Sequence, residues 1–256
     1  MILFSSWCFL KFSKEAAIGI ILFSIFIYFG LTNMPWMPLI LIYGLIGFKI
    51  GGLKLSLTII ASFLFITFTG VLPQALLSIY LCGIAVIISF ILGSSLGIWA
   101  AHNDKVSAFM RPINDTMQTM PSFVILIPFV MFFGIGEFTA LLAIIAYAFV
   151  PALRYTEHGL RNLPETVIEA ARMIGCSQTQ LLWKVKIPLA MPVIMLGLNQ
   201  TIMFGLAMLV IAALVGTTGL GQLIYIGLSK ADFGTGMISG VSIALIAIIF
   251  LSLIHI

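Results

Sequence analysis

Residues 120–153 read MPSFVILIPFVMFFGIGEFTALLAIIAYAFVPAL, with Glu137 the one charged side chain among them. As one straight helix these 34 residues would measure about 51 Å at 1.5 Å per residue, against a bilayer core of about 30 Å. The run must therefore turn, and Gly134-Ile135-Gly136-Glu137 is the place. Glu137 at a bilayer centre would cost roughly 2.5–3.5 kcal/mol on insertion scales, and little in a turn. Two membrane spans meeting at that turn are the predicted reading.

The rest of the chain follows the same logic. Of its 256 residues 62% are hydrophobic and 8% charged, and the mean hydropathy is +1.24. Soluble domains carry about 25% charged residues, so an ordinary wet surface is excluded. The apolar stretches are continuous rather than alternating with period two, which excludes a β-barrel. The predicted fold class is an all-α polytopic membrane protein. Its spans fall at about 16–32, 36–48, 55–72, 75–101, 120–136, 138–154, 189–215 and 237–254. Residues 1–74 hold two or three N-terminal spans, and 75–256 form the main membrane domain. Lys11, Lys14 and Glu15 before the apolar run resemble a signal peptide, but no small-x-small cleavage site follows, so a retained first span is expected.

The net charge of +4 does not mark a nucleic-acid binder, because the basic residues lie between apolar runs. With eight spans and an inside N-terminus, eleven of the twelve basic residues fall on one side and only Lys230 on the other. That asymmetry is what the positive-inside rule requires of cytoplasmic loops. Cys8, Cys82 and Cys176 have no metal-ligand spacing and read as small packing residues. His102, His158 and His255 have no partner spacing either. No G-x-x-x-x-G-K-[ST] phosphate loop occurs, so this chain is expected to bind no ATP itself.

One loop on the basic side, about 155–188, mixes both charge signs and carries helical punctuation. Pro164 suits a first helical position, with Glu165 complementing the helix N-terminus. Gly175 suits a left-handed C-cap. Ser177 and Gln180 fit a capping box, opening a second helix that Pro188 is expected to stop.

Glu169-Ala170-Ala171, three residues, Gly175, nine residues and Val185-Lys186-Ile187-Pro188 resemble the EAA loop of binding-protein-dependent ABC importer permeases. That family's pattern is E-A-A, three residues, G, nine residues, I-x-L-P; Val185 and Ile187 are apolar exchanges within it. Four further segments make the wider stretch 75–250 resemble the glycine betaine/proline (quaternary amine) branch. They are Met120-Pro121-Ser122-Phe123, Gly159-Leu160-Arg161-Asn162, Asn199-Gln200-Thr201-Ile202-Met203 and Gly216-Thr217-Thr218-Gly219-Leu220-Gly221.

The resemblance implies a type I-like helical core in the bacterial inner membrane. It implies ABC ATPase subunits as partners that bind ATP and Mg, an extracytoplasmic substrate-binding protein, and a second permease copy forming a homodimer. Glu169, Ala170, Ala171, Gly175 and Pro188 would then couple to the ATPase, with the two alanines allowing its close approach. The plain alternative is a solvated loop helix in which Glu169 and Arg172 form an i,i+3 pair.

Asn199 and Gln200 lie near the middle of the 189–215 span, where polar side chains line a path or fix packing between helices, and both readings stand. Met191, Met195, Met203 and Met208 read as adaptable packing. Trp99, Phe123, Phe129, Phe132 and Phe133 are read first as ordinary span aromatics, with cation–π contact to a quaternary amine the sharper alternative. The glycine-rich segment 216–236, with Gly216, Gly219, Leu220 and Gly221, is a candidate gate or binding-protein surface. The expected function is a permease subunit for glycine betaine/proline-type solutes. The rivals are an ABC permease for an amino acid, sulfonate or oxyanion, and an ion-coupled secondary transporter. Buried ionisable residues expected of the last are missing from the centres of the later spans. Nor does any span hold the paired carboxylates or activated nucleophile of a membrane enzyme.

Overall fold

The computed structural model describes Tyr28, Gly30 and residues 35–254. Among the described residues every regular element is helical. Five helices are long and apolar enough to cross a membrane, or six if a bent pair is counted as one crossing. The expected span 16–32 lies outside the described residues apart from Tyr28 and Gly30.

α1, Trp36–Phe68, folds back on itself: Gly51 (φ −121°, ψ 15°) and Gly52 (φ +69°, ψ −162°) leave helical geometry. Ser56 Oγ donates to the Gly44 carbonyl at 2.9 Å, and the Tyr43 and Phe63 rings stack 5.1 Å apart. In a straight helix Tyr43 and Phe63 would stand about 30 Å apart. The predicted segments 36–48 and 55–72 are therefore two arms of one hairpin, and the second ends at Phe68.

α2 is Leu72–His102, α3 Asp104–Thr119 and α4 Ser122–Phe133. α3 and α4 meet at 103° across Met120 and Pro121. This corrects the predicted span 120–136. α4 has 12 residues, about 18 Å of helix, too short to cross by itself. The return crossing is the broken pair. α5, Glu137–Arg161, begins after the expected turn, where Gly134 and Gly136 take φ +74° and +157°.

After α6 (Glu165–Met173) comes one long helical rod: α7 (Gln178–Gln180), a π-helical turn Leu181–Lys186, and α8 (Ile187–Ala212). A 3₁₀ turn Ala213–Val215 ends it, and α9 (Leu220–Ser229) and α10 (Phe233–Ile254) complete the described chain.

The core is the seam of α2, α5 and α8. A Cβ on Gly93 would sit 2.6 Å from the Phe149 carbonyl oxygen, and one on Gly97 2.7 Å from that of Leu153. Ser89 Oγ reaches the Ile145 carbonyl across the same seam at 3.2 Å. Small residues at i, i+4 and i+8 let two helix backbones approach closely, which is how membrane helices gain packing contacts without a hydrophobic drive. Ile144, Leu153, Met208 and Leu209 fill the space between, all fully buried. The outer faces carry exposed large apolar side chains such as Leu45, Ile91 and Phe132, as lipid-facing or partner-facing helices require.

Candidate functional site

The bundle has two ends. One carries the Gly51-Gly52 turn, α3, α6 and the start of the rod; the other carries the Gly134–Gly136 turn and the 216–221 loop. Lys49, Lys54, Lys105, Arg111, Arg161, Arg172, Lys184 and Lys186 gather at or near the first end, called here the coupling end.

The coupling loop is shorter than 155–188, because α5 runs on to Arg161. Its last charged turns are held by partners on α3. Arg161 pairs with Asp104 at 2.8 Å and with Glu157 at 3.1 Å, and donates to the Ala100 carbonyl at 2.7 Å. Ser107 Oγ donates to Glu157 Oε1 at 2.5 Å. Arg154, farther along the helix, bonds Asp115 and Gln118. With its charges paired, the helix has no reason to end at 154. Pro164 is the N-cap of α6 (φ −60°, ψ 122°) rather than its first residue.

α6 ends in a Schellman motif. Gly175 takes φ +90°, its N–H donates to the Arg172 carbonyl at 2.9 Å, and the Cys176 N–H donates to the Ala171 carbonyl at 3.2 Å. The capping box follows, with Gln180 N to Ser177 Oγ at 3.3 Å and Ser177 N to Gln180 Oε1 at 3.0 Å. Glu169 and Ala170 are exposed, and so are Met173 and Ile174 at 90% and 84%. Ala171 is the one buried residue of α6, and its carbonyl takes the closing hydrogen bond. Of the two alanines, therefore, only Ala170 is exposed.

Pro188 does not stop the second helix. It sits at the start of α8 inside an unbroken rod, Gln178–Val215, of 38 residues. The π turn explains this: the Ile187 N–H reaches back to the Leu182 carbonyl, and the widened turn absorbs the donor and space that proline removes. Asn199 is buried midway along α8 with its Oδ1 unpartnered, and Gln200 beside it is half-buried.

α3 was not expected as a helix. Asn103 caps it, its side chain accepting from the Lys105 N–H at 3.0 Å. An N-cap asparagine before Asp104, with Phe109, Met110, Ile113 and Met117 at helical spacing, is the signal that could have revealed it. Between α3 and α5 lies a polar cleft of about 680 Å³, lined by Arg111, Asn114, Asp115, Arg154 and Glu157 among others.

At the other end the 216–221 loop is clamped rather than free. Gly136 N–H donates to the Val215 carbonyl at 2.9 Å, and Thr218 Oγ1 to Glu137 Oε1 at 2.8 Å. Leu220 is fully buried, and its N–H donates to Ser78 Oγ at 2.8 Å. Gly216 is left-handed at φ +85°, and a Cβ on Gly219 would collide with Ser78 Oγ, while one on Gly221 would lie 2.9 Å from the Leu209 carbonyl. Ser78→Ala is expected to leave the buried Leu220 N–H without a partner, costing roughly 1–3 kcal/mol. A lower Tm for the purified variant, with insertion unchanged, is the expected result. Beyond the loop, Asp232 caps α10 through Thr235, whose hydroxyl and N–H donate to the carboxylate and hold its pKa below the usual value. The coupling loop, Asn199 with Gln200, and the 216–221 loop thus stand at successive levels of the bundle, joined by α8.

Comparison with known proteins places this architecture. The chain is 39% identical over 219 residues to the glycine betaine/proline betaine transport system permease protein ProW of Escherichia coli (strain K12), covering 86% of this chain and 62% of that protein. It is 36% identical over 219 residues to the glycine betaine transport system permease protein OpuAB of Bacillus subtilis (strain 168), covering 86% and 78%. The chain spans 62% and 59% of the lengths of two ProW relatives. In fold it resembles the inward-facing MetNI methionine ABC transporter, with a TM-score of 0.61 at 21% identity over 69% of this chain and 88% of that one. Residues 93–256 match the family described as binding-protein-dependent transport system inner membrane component. That match covers most of the chain, which therefore belongs to this family as a multi-pass protein of the bacterial inner membrane.

Proposed function

We propose that this permease forms the membrane path of an ATP-driven importer for glycine betaine and related quaternary-amine compatible solutes. The observation that carries the reading is the similarity to permeases named for glycine betaine, proline betaine and carnitine, at 36–39% identity. A further relative, 43% identical over 218 residues, is the trimethylamine N-oxide transport system permease protein TmoV of Pelagibacter ubique, whose named solute is also a methylated amine.

In this reading the coupling end faces the cytoplasm, as the basic residues there favour. ATP and Mg bind to ABC ATPase subunits, which seat on α6. The exposed Glu169 offers them a charge-assisted contact, and the exposed Met173 and Ile174 an apolar one. Closure of the ATPases moves α6, and the rod transmits that displacement toward the 216–221 loop. An extracytoplasmic binding protein delivers the solute at that far end, and a second copy of the chain completes the path. Asn199 and Gln200 stand along it at mid-depth.

The test is uptake of labelled glycine betaine into vesicles that hold the permease with its cognate ATPase and binding protein. ATP-dependent uptake, blocked by other quaternary amines, is the expected result. ATP-dependent uptake of an amino acid, sulfonate or oxyanion instead would replace the cargo and keep the machine. Uptake driven only by an ion gradient would overturn both.

A further inference from the structure

The guanidinium of Arg161 spends each of its three nitrogens on a different helix. Nη2 donates to the Ala100 carbonyl of α2 at 2.7 Å, Nη1 pairs with Asp104 of α3 at 2.8 Å, and Nε pairs with Glu157 of α5 itself at 3.1 Å. The charge fits the place. Ala100 lies in the last turn of α2, whose carbonyls lack partners within the helix, and Asp104 opens α3 just past Asn103. Glu157 is held in turn by Ser107 Oγ at 2.5 Å. Arg161 therefore closes the corner between α2 and α3 against the end of α5.

That end is also where the coupling loop begins. Only residues 162–164 separate Arg161 from α6. In the same turn Leu160 packs on Ala190 and Ile194 of α8, and a Cβ on Gly159 would lie 3.1 Å from Val193 Cβ. The other end of α6 returns to α8 through Gly175, the capping box and the π turn. Both ends of α6 are thus anchored to one block, made of the end of α5 and the start of α8. A displacement of that block reaches α2 and α3 only as far as their contacts with it are stiff. The glycine seam holds α2 up to the contact of Gly97 with Thr156, and past it the polar tie to the corner is the Arg161 fork.

We infer that Arg161 is a positioning residue for energy coupling: it places the α2–α3 corner, and with it the broken span α3–α4, under the control of α6. The inference rests on the import reading above, which supplies the ATPase that moves α6. Lysine would keep the charge, but its single nitrogen on a flexible stem cannot hold three partners set around a planar fork. Arg154 supplies the comparison. Its bonds, to Asp115 and Gln118, lie within α3, and it stands about two turns before the linker to α6.

The test uses the complete transporter, permease with cognate ATPase and binding protein, in proteoliposomes, and reads solute imported per ATP hydrolysed. Arg161→Lys is expected to hydrolyse ATP within twofold of the wild-type rate while importing at least fivefold less solute per ATP. Arg154→Lys is expected to keep that ratio within twofold of wild type. A merely structural role would lower abundance or Tm in both variants and leave the ratio unmoved. A second measurement needs no change at Arg161, and so stands even where Arg161→Lys does not assemble. Spin labels replacing Lys105 of α3 and Thr166 of α6, both exposed, are expected to keep one separation with and without ATP.

A wild-type ratio in Arg161→Lys would overturn the inference. So would an equal fall in Arg154→Lys, which would make both arginines general staples of α3 on α5. A change of label separation by a helical turn, about 5 Å, would overturn it as well. The ratio is read with whichever solute the wild-type complex imports, so a wrong cargo leaves the role of Arg161 standing. Absence of ATP-dependent uptake of any solute by the wild type would overturn the import reading and this inference together.

Discussion

Gly97→Ile is expected to remove the folded permease from the membrane. A Cβ at residue 97 would lie 2.7 Å from the Leu153 carbonyl oxygen, 2.8 Å from Thr156 Cβ and 3.2 Å from the Glu157 nitrogen. Two of these three are backbone atoms of α5, which cannot rotate away as a side chain would. The helices must separate, and the whole seam from Ser89 to the Ala100–Arg161 hydrogen bond opens with them. Overpacking of this kind costs about 1–3 kcal/mol in a yielding core, and the backbone contact puts this site at or above the top of that range. Gly83→Ala is the matched control, since a Cβ there meets open space. Size-exclusion profiles and thermal unfolding of the two variants in detergent check the expectation. A monodisperse Gly97→Ile protein with the wild-type Tm would refute it.

The second large effect belongs to Gly175. Its φ of +90° is outside proline's reach, and its N–H closes the α6 turn on Arg172. Gly175→Pro therefore removes a hydrogen bond and forces a different exit from α6, while leaving every membrane helix unaltered. The expected outcome is normal insertion and abundance with ATP-dependent uptake lost, a fall of at least a hundredfold. Gly175→Asn is the graded control, because asparagine tolerates the left-handed region, and it is expected to keep a measurable fraction of uptake. Wild-type uptake by the proline variant would separate the loop geometry from coupling altogether.

Those two glycines mark how far the sequence could be read. Local signals survived well. Length against bilayer thickness forced the turn at Gly134–Glu137, and the capping box and left-handed glycine around 175–180 follow from short-range chemistry that needs no tertiary partner. What the sequence concealed was tertiary compensation. α3 reads as a connection between spans, and two of its charges, Asp115 and Asp104, are met by Arg154 and Arg161, 39 and 57 residues along the chain. The same pairing carried α5 past its expected end. Pro188 resembled a stop because its cost was counted against an α-helix, whereas the chain widens into a π turn around it. Ala171 matched a family position read as approaching a partner, and in the folded chain it is buried, which its place in the motif does not reveal. Asn199 stood out as a polar residue in an apolar span, but which neighbour its amide addresses depends on packing that periodicity does not encode.

The fold-back at Gly51-Gly52 also bears on the lipid. Its arms, 36–50 and 53–68, are about 22–24 Å long at 1.5 Å per residue, several ångströms short of a hydrocarbon core of about 30 Å. Lys49 and Lys54 flank the turn, are exposed, and reach for headgroups at that depth. The surrounding leaflet must pinch inward to meet them, at a fraction of a kcal/mol per ångström of mismatch. A thin bilayer accommodates this permease with little deformation, and a thick one stores elastic energy along the hairpin's edge, so acyl-chain length acts directly on its stability.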